Sequence, residues 1–373
     1  MTAIPNLALP GGIVERMVFR CTVDGNRVED ITDVFTGGTV KRQQGTSGDA
    51  PAVFTMELIG AERVVPLKDF VTPYVRINYD DESTTGWMRL GVFVTGQPDA
   101  TITQTTVRKS YPCEDLTAVM RDAAFNDTYK IASGTNIATA IAGIITNAGL
   151  VKYQLPNTAK TTGYTRNFPK GMSNLEAANS LCQAAGWWPL YCDRQGVIRT
   201  APSRLLSDSQ PLARYTNDDY IGTIQDKPTR GQLGNVVAVR RERSDKSPLY
   251  AIRRNTDVDS PISIPNIGRE ILYSGGWVDA TDAEDQDDVD ALADRLIEEA
   301  RSYERTVAMT ILPSIDLLDP HRVIDLDIAT DHYDFYGRYW VTQAVVGTGP
   351  KDVVMPISCN RLVRFRRGED AEG

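Results

Sequence analysis

Two stretches far apart in this 373-residue chain run through the same succession of patterns. From Val75, VRINYDD leads to GWMRLGVFVT (Gly86–Thr95), a GQPD turn and a polar-alternating strand that closes YPCED around Cys113. From Val323, VIDLDIA leads to GRYWVTQAVV (Gly337–Val346), a GTGPKD turn and VVMPISCN around Cys359. Each is a strand, an Asp- or Gly-bearing loop, an aromatic strand of similar length, a Gly/Pro turn and a last strand reaching a Cys. The agreement is one of pattern, with few identities. It predicts two copies of one β-barrel-like module, one near each end, and favours a ring-building or scaffolding role over a single-pocket enzyme.

The rest of the chain divides around these modules. Residues 1–127 read as an N-terminal arm and a mostly β module, with period-two strands in IVERMVFRCTV, VFTMELIG, YVRINY and WMRLGVFVTG. TGGTVKRQQGTSGDAP (36–51) is rich in Gly, Ser and polar residues and is expected to be a long exposed loop of the kind that contacts neighbours. A short helix is expected from near Glu114, with Leu116 and Met120 on one face. Residues 128–215 read as a small α/β insert. Thr135 or Asn136 caps a helix striped by Ile137, Ile141, Ile144, Ile145 and Ala148, and Gly149 ends it. Ser173 and Glu176 form a capping box for a second helix stopped by Gly186. WWPLYCDRQGVIRTAP then supplies two strands around an Arg-Gln-Gly turn.

Residues 216–365 return to β patterning. NVVAVRRE and LYAIRRN are expected to be partner strands of the second module, and a long helix is expected near 281–303. Thr281 and Glu284 make its capping box, Asp282, Asp285, Asp287 and Asp288 suit its positive N-terminal end, and Val289, Leu292, Ala293, Leu296 and Ala300 form its buried stripe. Residues 366–373 are a polar tail. The expected fold class is therefore mainly β with an α/β insert: two β-barrels and one small α/β domain.

Net charge and cysteine usage narrow the function classes. A net charge of -9 argues against coating nucleic acid, which needs clustered Lys and Arg, and does not exclude DNA passing through a channel, where an acidic or neutral wall would avoid trapping it. No apolar run reaches 18 residues, so no helical membrane span is expected, and the start MTAIPNLALPGG has no basic region or long apolar core of a secretory signal. Cys21, Cys113, Cys182, Cys192 and Cys359 are odd in number and lack CxxC spacing, which reads as buried thiols of a reducing compartment.

Motifs for catalysis are missing. There is no GxSxG, HExxH or Walker sequence, and GTGPK (347–351) lacks the spacing of a phosphate loop and reads as a hairpin turn. Asp325, Asp327, Asp331, His332 and Asp334 are the best candidates for holding a hard cation, against the plainer reading of outward strand and loop residues. Trp187, Trp188, Trp277 and Trp340 are candidate sugar platforms, against the plainer reading of core aromatics. No catalytic, cofactor-binding or metal-binding residue is assigned, and no cofactor.

Over about residues 13–365, and most strongly from 170 to 327, the order of motifs resembles a known family. NLEAANSLCQAAGWWPLYCDRQGVIRTAP is followed by GNVVAV, DSPISIPNIGRE, a Thr-capped helix running to RSYERTVAMTILP, and DLLDPHRVIDLD. This order is similar to the baseplate hub or tail-tip (minor tail) proteins of long-tailed bacteriophages, which share a fold with contractile-tail hubs and type VI secretion spike bases. The resemblance implies two tube-like barrels per subunit and a homotrimeric ring of six barrels. Such a ring joins a sixfold tail tube to a threefold tip around a channel for DNA ejection. The partners implied are the tail tube or distal tail ring protein, other tail-tip or fibre proteins, and the tape measure protein or DNA in the channel. The site implied is the virion, after assembly in the host cytoplasm. The chain ends soon after its second module, so a peptidase, lysozyme-like or sugar-binding activity is expected of other proteins. The competing reading is a carbohydrate-binding or cell-wall-hydrolysing tail module.

Overall fold

The computed structural model describes residues 12–43, 52–60, 63–80, 82–202, 204, 206–229, 234–243, 247–258, 260, 262–280, 283, 285–300, 302–330 and 333–364. The molecule is mainly β, with a few helices. By internal contacts it falls into two compact units. The first comprises 1–223, 309–325 and 340–358; the second comprises 224–308, 326–339 and 359–373.

The strand order shows the repeat. In the first half, six strands neighbour one another in the order Phe35–Gln43, Ala52–Ile59, Val107–Asp115, Phe93–Thr95, Phe70–Tyr79, Gly12–Cys21. In the second half the order is Tyr220–Thr229, Ser302–Ile311, Met355–Arg364, Asp334–Gly347, Val323–Ala329, Ala213–Thr216. Numbered by position along the chain within each half, both orders read 2-3-6-5-4-1. Cys113 and Cys359 both lie on the sixth strand, buried and unbonded. The starts of the second strands also correspond: Asp33-Val34-Phe35-Thr36-Gly37 and Asp218-Asp219-Tyr220-Ile221-Gly222 each enter the strand from a turn.

The two halves do not close into barrels. Closing the first would require Phe35–Gln43 to pair with Gly12–Cys21. Instead its edge pairs antiparallel with the second half, Gln343–Gly347 against Thr39–Gln43. The result is one fifteen-stranded sheet whose strand order ends at Tyr220–Thr229 and Arg27–Asp30.

Two expectations about the first half change. Residues 36–43 are strand rather than loop, and the rest of that segment lies outside the described residues. The Gly pair looks like turn chemistry but is a packing requirement. A Cβ on Gly38 would sit 2.1 Å from the Thr55 carbonyl oxygen, so only glycine lets the two strands approach this closely. GQPD does not reverse the chain. It interrupts one strand direction between Phe93–Thr95 and Asp99–Ile102, and the reversal comes at Thr103–Thr106, where Thr103 N–H donates to the Thr106 carbonyl.

The first unit's helices follow their sequence signals. Asn136 accepts from Thr139 N–H and starts the helix Ile137–Asn147, with Ile137, Ile141, Ile144 and Ile145 buried. Ser173 accepts from Glu176 N–H at the start of Asn174–Ala185, and Gly186 ends it in the left-handed region at φ 71°. These helices and Thr117–Asp122 share one core with Trp187, Leu190, Cys192 and Ile198, and that core also takes in Cys21 and Val92.

The second unit holds an arrangement that period-two alternation alone does not predict. Val236–Arg241 pairs antiparallel with Leu249–Arg254, as expected, but also parallel with Leu272–Asp279, in a separate three-stranded sheet. The helix Gln286–Ala300 covers one face of this sheet, burying Val289, Ala293, Leu296 and Ile297 against Val237, Val239 and Ala251. Arg253 reaches from the sheet to Asp290 at 2.8 Å and Asp294 at 2.5 Å, one helical turn apart. The capping pair Thr281 and Glu284 lies outside the described residues. The expected helix end at 301–303 is replaced by the strand Ser302–Ile311, whose Val307, Met309 and Ile311 alternate inward.

One buried charge ties the first half's second strand to the neighbouring core. Arg42 is 3% exposed and donates to the Cys192 carbonyl at 2.7 Å and the Leu90 carbonyl at 3.2 Å. Asp115 is fully buried and accepts from the Thr117 N–H and hydroxyl. Burial raises its carboxyl above the usual carboxylate range, while the Thr117 hydroxyl and the Arg42 charge pull it down. Arg42→Met should therefore destabilise the chain by about 3–5 kcal/mol in chemical denaturation, because it orphans two carbonyls and removes a compensating charge. Arg42→Lys should cost less. Equal, small losses for both variants would show that the guanidinium is not carrying this junction.

Candidate functional site

Among the described residues no three His, Cys, Asp or Glu side chains converge as a metal site. Asp325 and Asp327 alternate with buried Ile324, Leu326 and Ile328 along one strand, as outward residues do. Asp334 begins the next strand and is exposed, and Asp331 and His332 lie outside the described residues. The GTGPK segment is a turn whose Gly349 N–H donates to the Asp352 carboxylate at 2.6 Å, so a protein carboxylate fills the cradle. Thr348 pins the same turn to the first half, its N–H and hydroxyl both 2.9 Å from the Gly38 carbonyl.

The cysteines are placed for packing. All five are buried and free. Burial pushes the Cys21 and Cys182 thiols up to about 12, and raises Cys113, Cys192 and Cys359 as well. A thiol held protonated in this way is a poor nucleophile.

The tryptophans divide. Trp187 is 8% exposed inside the helix core. Trp277 belongs to the second unit, on the sheet face opposite the helix, level with Ala238 and Ile252. Trp188 and Trp340 do come together, around a residue that sequence spacing does not point to. His321 stacks on Trp188 with ring centroids 4.5 Å apart and planes at 16°, and Tyr191 meets it edge-on at 5.5 Å. Trp340 meets Trp188 edge-on at 5.8 Å. His321 stands in the left-handed region at φ 59°, uncommon for a residue with a Cβ.

A ring of charge borders this aromatic niche. Arg194 reaches Asp316 at 3.2 Å and Asp319 at 3.3 Å, and Asp319 also takes Arg322 at 3.1 Å. Burial pushes the His321 imidazole down to about 4, and the Arg322 charge adds to the shift. The niche holds a neutral imidazole between aromatic rings. Its contacts are stacked and edge-on aromatic packing, and His321 Nδ1 has no hydrogen-bond partner among the described residues.

The sign of the pH effect follows. The folded chain binds fewer protons at His321 than the unfolded chain between pH 4 and 6.5, so this contribution is present above 6.5 and lost on acidification. Between pH 7 and pH 5 the loss should be about 2 kcal/mol, read from denaturant midpoints. His321→Asn, which tolerates the backbone conformation, should remove most of that slope. An unchanged slope would place the acid sensitivity elsewhere.

No protein-family model and no curated protein matches the sequence. The fold does match solved structures. The chain is similar to the tail protein from Neisseria meningitidis MC58, with a TM-score of 0.65 at 10% identity, over 94% of this chain and 97% of that one. It is similar to the 43 kDa tail protein of prophage MuSo2 from Shewanella oneidensis, with a TM-score of 0.63 at 10% identity, over 94% and 98%. It is also similar to the prophage tail protein gp18 from Listeria monocytogenes EGD-e, with a TM-score of 0.54 at 10% identity, over 93% and 94%. The chain has the fold of these phage tail proteins along nearly its whole length.

Proposed function

We propose that this chain is a structural protein of a phage tail tip or baseplate, a hub whose three copies form a ring with near-sixfold symmetry. The observation that carries this reading is the repeated strand order, 2-3-6-5-4-1 in both halves, in a chain with the fold of phage tail proteins. Two like modules per chain, repeated about a threefold axis, present six near-equivalent surfaces. A sixfold tail tube docks on such a surface while the other side of the ring meets a threefold tip. In domain terms, residues 1–127 and 216–365 are the two modules and 128–215 the insert.

The partners are then the tube or distal ring protein, other tip or fibre proteins, and tape measure or DNA in the central channel. The chain acts without catalysis, in the virion, after assembly in the host cytoplasm. Strand residues facing the channel are Asp, Glu, Thr, Ser, Asn or Gln more often than Lys or Arg, because a basic wall would hold each passing phosphate. The glycan-platform reading gains little support, since His321 covers a face of Trp188 that a sugar would need.

Mass in solution tests the proposal. The purified chain, measured by light scattering over a wide concentration range, should reach three times its monomer mass. A mass that stays at one copy, or settles at two, would contradict the ring.

A further inference from the structure

The joint between the halves leaves its own counterpart unmade. Within the chain, the fifth strand of the second half gives Gln343–Gly347 to the second strand of the first half, Thr39–Gln43. The equivalent pair is the fifth-strand continuation of the first half, Asp99–Ile102, and the second strand of the second half, Tyr220–Thr229. Asp99–Ile102 pairs only with Val107–Asp115, and Tyr220–Thr229 only with Ser302–Ile311, among the described strands. Among the described residues each keeps one open edge.

Exposure agrees. Where the joint is made, Ala344 and Val346 are 1% and 3% exposed. Where it is not, all four residues of Asp99–Ile102 are exposed, and Ile102 stands 74% in solvent. On the other edge Gly222, Thr223, Gln225 and Lys227 are exposed. An open edge with an exposed apolar residue is a surface that proteins cover or pair.

We infer that copies of this chain join by pairing Asp99–Ile102 of one copy, antiparallel, with Tyr220–Thr229 of the next. The inference rests on the ring reading above and names the surface that closes the ring. The joint is heterologous: each copy gives one edge and receives the other, so every copy is linked on both sides and neither of these two edges is left open once the ring closes. Ladder hydrogen bonds supply the contact, and Ile102 supplies the apolar burial. Pro228, which has no N–H to give, limits the usable edge to the residues before it.

Cysteine pairs in the full-length chain test this. Thr101→Cys is combined in turn with Thr223→Cys, Ile224→Cys and Gln225→Cys, and each variant is mildly oxidised; the five native cysteines are buried. At least one combination should give covalent dimers and trimers that reductant returns to single chains, while the single variants give none. Ile102→Asp, at an exposed position, should keep the melting transition but raise the concentration for half-assembly by roughly tenfold or more. A three-copy mass without a cross-link in any combination, and unmoved by Ile102→Asp, overturns this joint while leaving the ring standing. Cross-linking of a single variant shows a like-to-like contact and overturns it too. A one-copy mass under all conditions overturns the ring and the joint together.

Discussion

Backbone hydrogen bonding between Gln343–Gly347 and Thr39–Gln43 is the constraint on which the large sheet depends. A strand in mid-sheet must satisfy donors and acceptors on both edges. Phe35–Gln43 satisfies one edge through Ala52–Ile59 and the other through the far end of the chain, more than 290 residues away. The same choice keeps the first half from closing on itself. The hairpin turn beside it is docked as well, by Thr348 on the Gly38 carbonyl and by Val14 N–H on the Pro350 carbonyl at 3.1 Å. Two halves with the same strand order thus become one sheet by lending an edge.

Side chains fix what the ladder begins. Phe35, Phe54 and Phe93 pack in a row, with centroid separations of 6.1 and 5.5 Å, beneath the strands that form the joint. Arg42, one residue from the end of its strand, turns inward and is anchored on carbonyls from Leu90 and Cys192. A charge buried this way stabilises little by itself but penalises any other packing, because moving it would leave Asp115 and two carbonyls without compensation. At His321, between Trp188 and Tyr191, aromatic contact takes the place of charge.

Much of this was legible in the sequence, and the rest failed for identifiable reasons. Local signals held: Asn136 and Ser173 cap the helices they were expected to cap, Gly186 ends the second, and Val236–Arg241 pairs with Leu249–Arg254. Alternation identifies a strand but not the sheet it joins, which is why that pair was placed in the second module and not in its own helix-backed sheet. Gly37-Gly38 suggested a loop because a close strand approach and a turn use the same residue. The matching Phe35-x-Gly37 and Tyr220-x-Gly222 starts were the signal that could have shown the strand. The niche brings Trp188 to His321 and Trp340, more than a hundred residues further along the chain, which spacing rules do not reach. The repeat itself was visible as pattern, and the strand order turns that pattern into topology.

The central claim is that the chain is one six-strand module used twice and that this repetition is what builds a ring. The most direct measurement is a cryo-electron reconstruction of the assembled particle at a resolution that separates strands. The account predicts three chains around a channel, with residues 12–115 and the six strands between 213 and 364 superposable and alternating around the axis. A particle in which the two halves occupy unlike positions, one on the ring and one away from it, would contradict it.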